Sequence, residues 1–412
     1  MKIKTTKLEK SWILYDIANS SYTLLITSIL PIYFNGIATA GGLDKAEYFA
    51  YWSYAASITT LIVALTGPIL ATFADRKDTK KWIFLASVVL GVGFSLALGF
   101  VSYWLAFLAL FVVGKVGYSY SLIFYDSMLP DITTQERMDE VSSFGFAYGY
   151  IGSCIPFVIS LVGILFADKI GITASQAVQI AIFINVGWWI LLSLPLFRNY
   201  KQINYLVHTG NPFIGSFREL GATLKEIFRD KHVFFFLLAY LFYIDGVYTI
   251  IAMSTAYGGA VGLDSNGLLL ALLTTQIVAF PSAIFLGKLA SKFRTRNMIM
   301  VCITAYFGIS VFAIFLDTTM DFWILAVCVG LFQGTIQALS RSYFAKIISP
   351  ENSSKYFSFL DICGKGASVI GMFSMGLITD LTGDVSLGVV VLSVMFVIGF
   401  ILFKIASSYE EK

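Results

Sequence analysis

The sequence predicts an all-α polytopic membrane protein with twelve transmembrane helices in two pseudo-symmetric six-helix bundles. Three observations carry that prediction. The chain of 412 residues is 58% hydrophobic and 13% charged, with a mean hydropathy of +0.80; one or two soluble cores would not hide so much apolar surface. Apolar runs of about 20 residues, each able to cross a ~30 Å hydrocarbon core as a helix, recur along the whole chain. Lys and Arg fall almost entirely in alternate connections between those runs, the positive-inside pattern.

The runs lie near 12-35, 50-74, 82-102, 105-129, 142-166, 175-197, 233-258, 265-287, 298-316, 321-347, 356-379 and 385-405. Lys2, Lys4, Lys7 and Lys10 precede the first, whose length suits a span rather than a cleavable signal. The second ends at a basic loop holding Arg76, Lys77, Lys80 and Lys81. From Trp82 to Ile123 only Lys115 is charged. As one helix that stretch would reach roughly 60 Å, about twice the core, so it must fold back, and the turn is placed near Ser102 and Tyr103. After the sixth run comes the longest connector, 198-232. There Phe213, Phe217, Leu220, Leu224 and Phe228 recur at helical spacing with Arg218, Glu219, Lys225, Glu226 and Arg229 on other faces. That pattern predicts an amphipathic helix at the membrane surface, with calmodulin-like recognition as the alternative. The chain thus divides into a bundle 1-197, a linker 198-232 and a bundle 233-412.

With the N-terminus in the cytoplasm, Lys45 and Lys169 face outward and Lys115 and Lys365 lie within the membrane. The remainder of the 28 Lys and Arg face inward, so both termini are cytoplasmic. Low alanine with abundant lysine, isoleucine and phenylalanine points to an AT-rich bacterial genome and hence a bacterial cytoplasmic membrane. The net charge of +3 is spread over short loops and implies no nucleic-acid partner. No phosphate loop GxxxxGK[ST] occurs, and the glycine-lysine pairs at Gly114, Gly287 and Gly364 lack the rest of it. Cys154, Cys302, Cys328 and Cys363 have no metal-type spacing and read as small core residues. Both histidines, His208 and His232, sit in the connector, so any proton coupling falls to carboxylates. No catalytic constellation, metal or cofactor is implied, and a monomer is expected.

Residues 71-81 and 287-297 follow the second and eighth runs at a shift of 216, and a shift of 215 sets Phe144 and Gly149 on Phe359 and Gly364. Such a repeat suits two bundles in parallel order. The first copy resembles the signature loop of the major facilitator superfamily: Ala74-Asp75-Arg76 and Lys80-Lys81 are present, while Ala71 and Asp78 stand where that signature has glycines. The resemblance implies a cytoplasmic gate in which the Asp75 carboxylate sits at a helix N-terminus and Arg76 and Lys80 pair across the bundles. A closer resemblance, over almost the whole chain, rests on 12-20, 124-131, 243-250 and 334-344. These look like the unknown major facilitator family, which includes autophagy-related vacuolar amino-acid effluxers. Gly145, Gly149, Gly152 and Pro156 resemble an antiporter glycine motif only loosely and read as close helix packing.

Charges inside a bilayer mark pathways. In the first span Asp16, Asn19, Ser20 and Thr23 share a face; in the seventh Tyr248 and Thr249 follow Asp245; in the tenth Gln333, Gln337 and Arg341 form an i, i+4, i+8 stripe. Asp361 and Lys365 are spaced to pair with each other, while Lys115 and Asp245 have no opposite charge on their own helix face. Asp245 lies roughly 20 Å beyond Lys231, and Lys115 and Gln337 roughly 20 Å from Pro130 and Pro350, which are midplane depths. Asn19, Lys115, Asp245, Tyr248, Gln333, Gln337, Asp361 and Lys365 are therefore the candidate substrate or coupling residues. Asp16, Asp75, Arg76, Lys80, Asp126 and Arg341, which are shallower, are the candidate cytoplasmic gate. The expected activity is secondary transport of a small polar or zwitterionic solute, an amino acid first, with proton coupling. An exporter or flippase of amphipathic drugs or lipids and a non-transporting membrane sensor or scaffold stay open as alternatives.

Overall fold

The computed structural model describes residues 5-206, 212-260, 265-316, 318-382 and 385-410, with the side chains of 212-219, 252-260, 265-270 and 366-370 among those outside the description. The described residues are helical almost throughout. The helices are α1 (Lys7–Leu24), α2 (Leu30–Ala40), α3 (Lys45–Ala74), α4 (Lys80–Leu98), α5 (Trp104–Ser127), the short α6 (Leu129–Ile132), α7 (Met138–Leu165), α8 (Ala174–Asn199), α9 (Pro212–Arg229), α10 (Lys231–Ala260), α11 (Ser265–Phe293), α12 (Thr295–Ile314), α13 (Thr319–Ile347), α14 (Ser353–Thr382) and α15 (Val385–Ser407). Among the described residues ten helices are long and apolar enough to cross a membrane, and α1 with α2 makes a bent eleventh. The apolar run of α14 is interrupted by Lys355, Asp361, Lys365 and Asp380. In α3, α4, α7 and α11 only 33% of the apolar window is buried in protein; Leu65, Val89, Leu191 and Phe285 are among the exposed large side chains. Such surfaces need lipid.

Local sequence explains where helices begin and bend. Thr6 with Glu9, Asp44 with Glu47, Thr173 with Gln176 and Thr318 with Asp321 form reciprocal capping boxes that open α1, α3, α8 and α13. The turn expected near Ser102 lies between Leu98 and Trp104. The first span differs from the straight helix its apolar run suggests. Pro31 cannot donate to the carbonyl four residues earlier, and a wide turn over Leu25–Ile29 separates α1 from α2 with a bend of about 40°.

The contacts divide the chain into two compact units, one of residues 1-132 and 148-209, the other of 133-147 and 210-412. In the first, Trp12 stacks on Tyr125 at 4.5 Å and Tyr22 on Trp189 at 4.8 Å. The Tyr15 hydroxyl donates to Ser121 Oγ at 2.7 Å, tying α1 to α5. A Cβ on Gly117 would collide with the Gly91 backbone, so glycine lets α4 and α5 touch. Gly149 and Gly152 likewise bring α7 against Ser20 and Ile17 of α1. In the second unit Tyr243 on α10 meets Ser340 on α13, again at 2.7 Å. Gly246 and Gly399 let α10 and α15 approach at Phe396 and Tyr243. The predicted amphipathic connector is helix α9. Thr223 and Ile227 turn inward while Leu224 and Phe228 stay exposed, and the side chains of Phe213 and Phe217 lie outside the described residues.

Candidate functional site

In the first unit, Asp16 and Asn19 are buried one turn apart on α1. The Asn19 amide donates to Tyr15 O at 3.0 Å and to Asp16 Oδ1 at 3.3 Å, while the Asn19 carbonyl accepts from Thr23 and Tyr118. The two residues therefore form one polar knot on the face that periodicity assigned to them. Lys115 is half-buried on α5 with its ammonium 5.5 Å from the Phe111 ring centre. Asp126, near the end of α5, is half-buried.

The signature loop is built around Asp75 and Lys80, both fully buried, whose charged atoms lie 3.8 Å apart. Lys80 Nζ also donates to Ser127 O at 3.3 Å. The Arg76 guanidinium lies over the Phe73 ring at 4.7 Å. Asp78 takes a positive φ of +60°, so the backbone keeps the geometry that glycine supplies elsewhere. The start of the linker docks here. Leu206 N donates to Asp75 O at 2.7 Å, Lys80 N donates to Gln202 Oε1 at 3.2 Å, and Gln202 Nε2 donates to Ala74 O at 3.1 Å. Asp131 anchors the same segment, accepting from the Tyr200 hydroxyl at 2.6 Å, from Asn204 N at 2.9 Å and from Asn204 Nδ2 at 2.7 Å. Burial, then the Asp131 charge, holds the Tyr200 hydroxyl well above its ordinary pKa, so it stays a donor.

In the second unit, Asp245 is fully buried on α10. Its carboxylate accepts from Gly371 N on α14 at 2.9 Å and from Thr249 Oγ1 at 3.3 Å. Among the described residues no ion pair reaches it. Tyr248 is half-buried on the same turn. Asp361 and Lys365 form an ion pair of 2.5 Å along α14, with 14% and 33% of their side chains exposed. Gln333 is buried and lines a small cavity of about 40 Å³ with Ile250, Thr275, Phe322 and Val329. Gln337 is half-buried one turn on. Arg341 is buried: its Nε donates to Ser142 Oγ at 2.9 Å, its Nη2 to Ser142 O at 3.0 Å, and its guanidinium lies 4.4 Å from the Phe146 ring centre.

A buried acceptor for Ser342, the residue after Arg341, escaped periodicity altogether. Asp139, buried in the first turn of α7, accepts from Thr295 Oγ1, Ser342 Oγ and Lys346 Nζ, each at 2.6 Å. One signal was present: an Asp139-Glu140 pair opens a span on the side where loops should be basic. Asp131 and Gly371 carried no comparable signal. Among the described residues no cluster of metal-ligating side chains is present.

A family model described as "Vacuole effluxer Atg22 like" matches residues 4–411. The chain belongs to that family. In line with this Atg22-like membership, the uncharacterized MFS-type transporter YxiO of Bacillus subtilis (strain 168) is 43% identical over 407 residues, covering 98% of this chain and 95% of that protein. Autophagy-related protein 22 of Saccharomyces cerevisiae (strain ATCC 204508 / S288c) is 27% identical over 281 residues, 60% of this chain and 52% of the yeast protein; that match spans about half the length of the yeast relative. Among solved structures, the major facilitator transporter FucP in its outward conformation superposes with a TM-score of 0.74 at 14% identity, covering 97% of each chain. A bacterial homologue of the iron transporter ferroportin, outward-facing with soaked iron, gives 0.70 at 15% identity, covering 99% of this chain and 100% of that one. These likenesses show the fold. The Atg22-like chain is an integral membrane protein of the major facilitator superfamily, a carrier and not an enzyme.

Proposed function

We propose that this Atg22-like protein is a twelve-span secondary transporter that moves a small zwitterionic solute, an amino acid in the first instance, by alternating access, and that Asp245 couples the movement to protons. The observation that carries the reading is Asp245 itself, a fully buried carboxylate in a span, held among the described residues by the neutral donors Thr249 and Gly371 N. Structural carboxylates buried in membranes are paired or neutral, and one that can gain and lose a charge marks a path. Solute chemistry follows from Asp361 and Lys365. Their side chains keep some exposure while the Lys365 ammonium is itself buried, and a zwitterion that enters can divide the 2.5 Å pair, its carboxylate taking Lys365 and its ammonium taking Asp361. Asn19, Lys115, Tyr248, Gln333 and Gln337 complete the proposed substrate and coupling set. They supply a cation, a hydroxyl and amides at depths where carriers of this fold bind solutes.

The proposed cytoplasmic gate comprises Asp16, Asp75, Arg76, Lys80, Asp126 and Arg341, to which we add Asp139. Buried ion pairs and charge-assisted hydrogen bonds of this kind hold one arrangement firmly and are lost together when it changes. Both termini, the signature loop and the linker 198-232 are assigned to the cytoplasm, between bundles 1-197 and 233-412. The experiment is flux of radiolabelled amino acids into proteoliposomes with and without an imposed pH gradient. Gradient-driven accumulation supports the reading. Saturable flux of an amphipathic dye with none of amino acids replaces it by the exporter alternative, and no flux of either leaves a sensor or scaffold.

A further inference from the structure

Gly371 sits inside α14, where a backbone N–H ordinarily points along the axis to the carbonyl four residues earlier. Here that N–H lies 2.9 Å from Asp245 Oδ2, on a different helix. The approach depends on the missing side chain. A Cβ at 371 would stand 2.6 Å from Thr249 Oγ1 and 3.0 and 3.1 Å from the two Asp245 carboxylate oxygens, and something would have to shift. One turn of α10, through Asp245 and Thr249, is thus fitted against one bare peptide of α14. Gly246, beside Asp245, packs closely against the Phe396 ring of α15, so the same turn of α10 is fitted on a second side.

We propose that Gly371 is the positioning residue for Asp245, and that the N–H–carboxylate contact is a latch between α10 and α14 that responds to the charge on Asp245. A hydrogen bond to an ionised carboxylate is roughly twice as strong as one to a neutral group. When Asp245 is neutralised by a proton, the latch weakens and the Gly371 N–H is left to its own helix; when the charge is restored, the latch closes. α14 also carries Asp361 and Lys365, the pair assigned to the solute, so the latch links the proton-bearing turn to the solute-bearing helix. Among the described residues, the groups bonded to Asp245 are Thr249 from its own helix and the Gly371 peptide from α14, and no Lys, Arg, His, Asp or Glu is paired with it. The inference rests on reading Asp245 as the coupling residue, but the exchange measurement that decides it needs no transported solute.

The experiment is hydrogen exchange of the full-length protein in lipid nanodiscs across a pH series, with each rate corrected for intrinsic exchange and followed in the peptide containing Gly371. In the wild type, protection should fall by threefold or more as Asp245 becomes protonated. Asp245→Asn, which still offers an oxygen to the N–H but cannot ionise, should show low protection at every pH. Gly371→Ala should lose the pH response while peptides of α12 and α13 keep wild-type protection. If Gly371→Ala fails to fold, the wild type and Asp245→Asn still decide. Identical corrected profiles for those two overturn the latch. Loss of gradient-driven flux in Asp245→Asn without any difference in exchange would keep the coupling role and remove the latch; the reverse pattern would keep the latch and remove the coupling role.

Discussion

Asp78 and Arg294 stand 216 residues apart and both take a positive φ, +60° and +66°. Each closes the loop after the second helix of its half, at the offset that the sequence repeat predicts. L-residues avoid that region because Cβ crowds the backbone, at a cost of roughly 1 to 2 kcal/mol. The shared sign of φ at matching positions is therefore a demand of the loop and not an accident of either side chain.

A first prediction follows. Asp78→Gly and Arg294→Gly should each hold or raise the melting temperature, since glycine removes the strain, whereas Asp78→Val should lower it by a few degrees. Fluorescence-monitored unfolding in detergent checks this. A lower melting temperature for both glycine variants would mean that the side chains, not the turn, are what matters.

The second concerns Asp139. Asp139→Ala removes the acceptor shared by Thr295, Ser342 and Lys346 and should cost about 1 to 2 kcal/mol locally, since Lys346 keeps 22% exposure and can reach water. Amide exchange in 138-147 should accelerate tenfold or so while 150-165 is unaffected. Unchanged protection in 138-147 would remove Asp139 from the proposed gate.

A third prediction is a pH profile of the linker. Tyr200 donates to Asp131, and burial, with the Asp131 charge, raises its pKa well above the usual value near 10. For a group raised in the folded state, the stabilisation is complete below the unfolded pKa and is lost as pH rises through the folded one. Protection of 200-206 should therefore be flat from pH 6 to pH 9 and decline only in stronger alkali. Asp131→Asn should lower that plateau at every pH. A steep loss of protection between pH 7 and pH 9 in the wild type would contradict the assignment.

Much of the fold was legible because membrane helices follow a length rule. A 20-residue apolar run has few alternatives in lipid, and even the turn between Leu98 and Trp104 followed from excess length. The wide turn at Leu25–Ile29 was not read from the first run, although Pro31 marks where a helix must adjust. Charged candidates such as Asp245 and Arg341 stood out against an apolar background. Asp139 and Asp131 did not, because they lie outside the apolar runs, where a charge is unremarkable until partners from distant sequence gather around it. Gly371 offered least of all: its role belongs to a peptide N–H, and no residue-type signal reports which peptide another helix will meet.

The fourth prediction is topological. Single cysteines at Lys45 and Lys169 should react with an impermeant maleimide from outside intact cells, and those at Lys77, Lys225 and Arg294 only after permeabilisation. Any one reversed residue would break the twelve-span order with both ends in the cytoplasm.

The most direct measurement of the central claim compares wild type with Asp245→Asn in proteoliposomes under an imposed proton gradient. The account predicts that the wild type accumulates a radiolabelled amino acid above equilibrium by tenfold or more. Asp245→Asn should retain downhill exchange but bring the solute only to equilibrium. Equal uphill accumulation by the two proteins would contradict the coupling role and leave Asp245 as a packing or solute-binding residue.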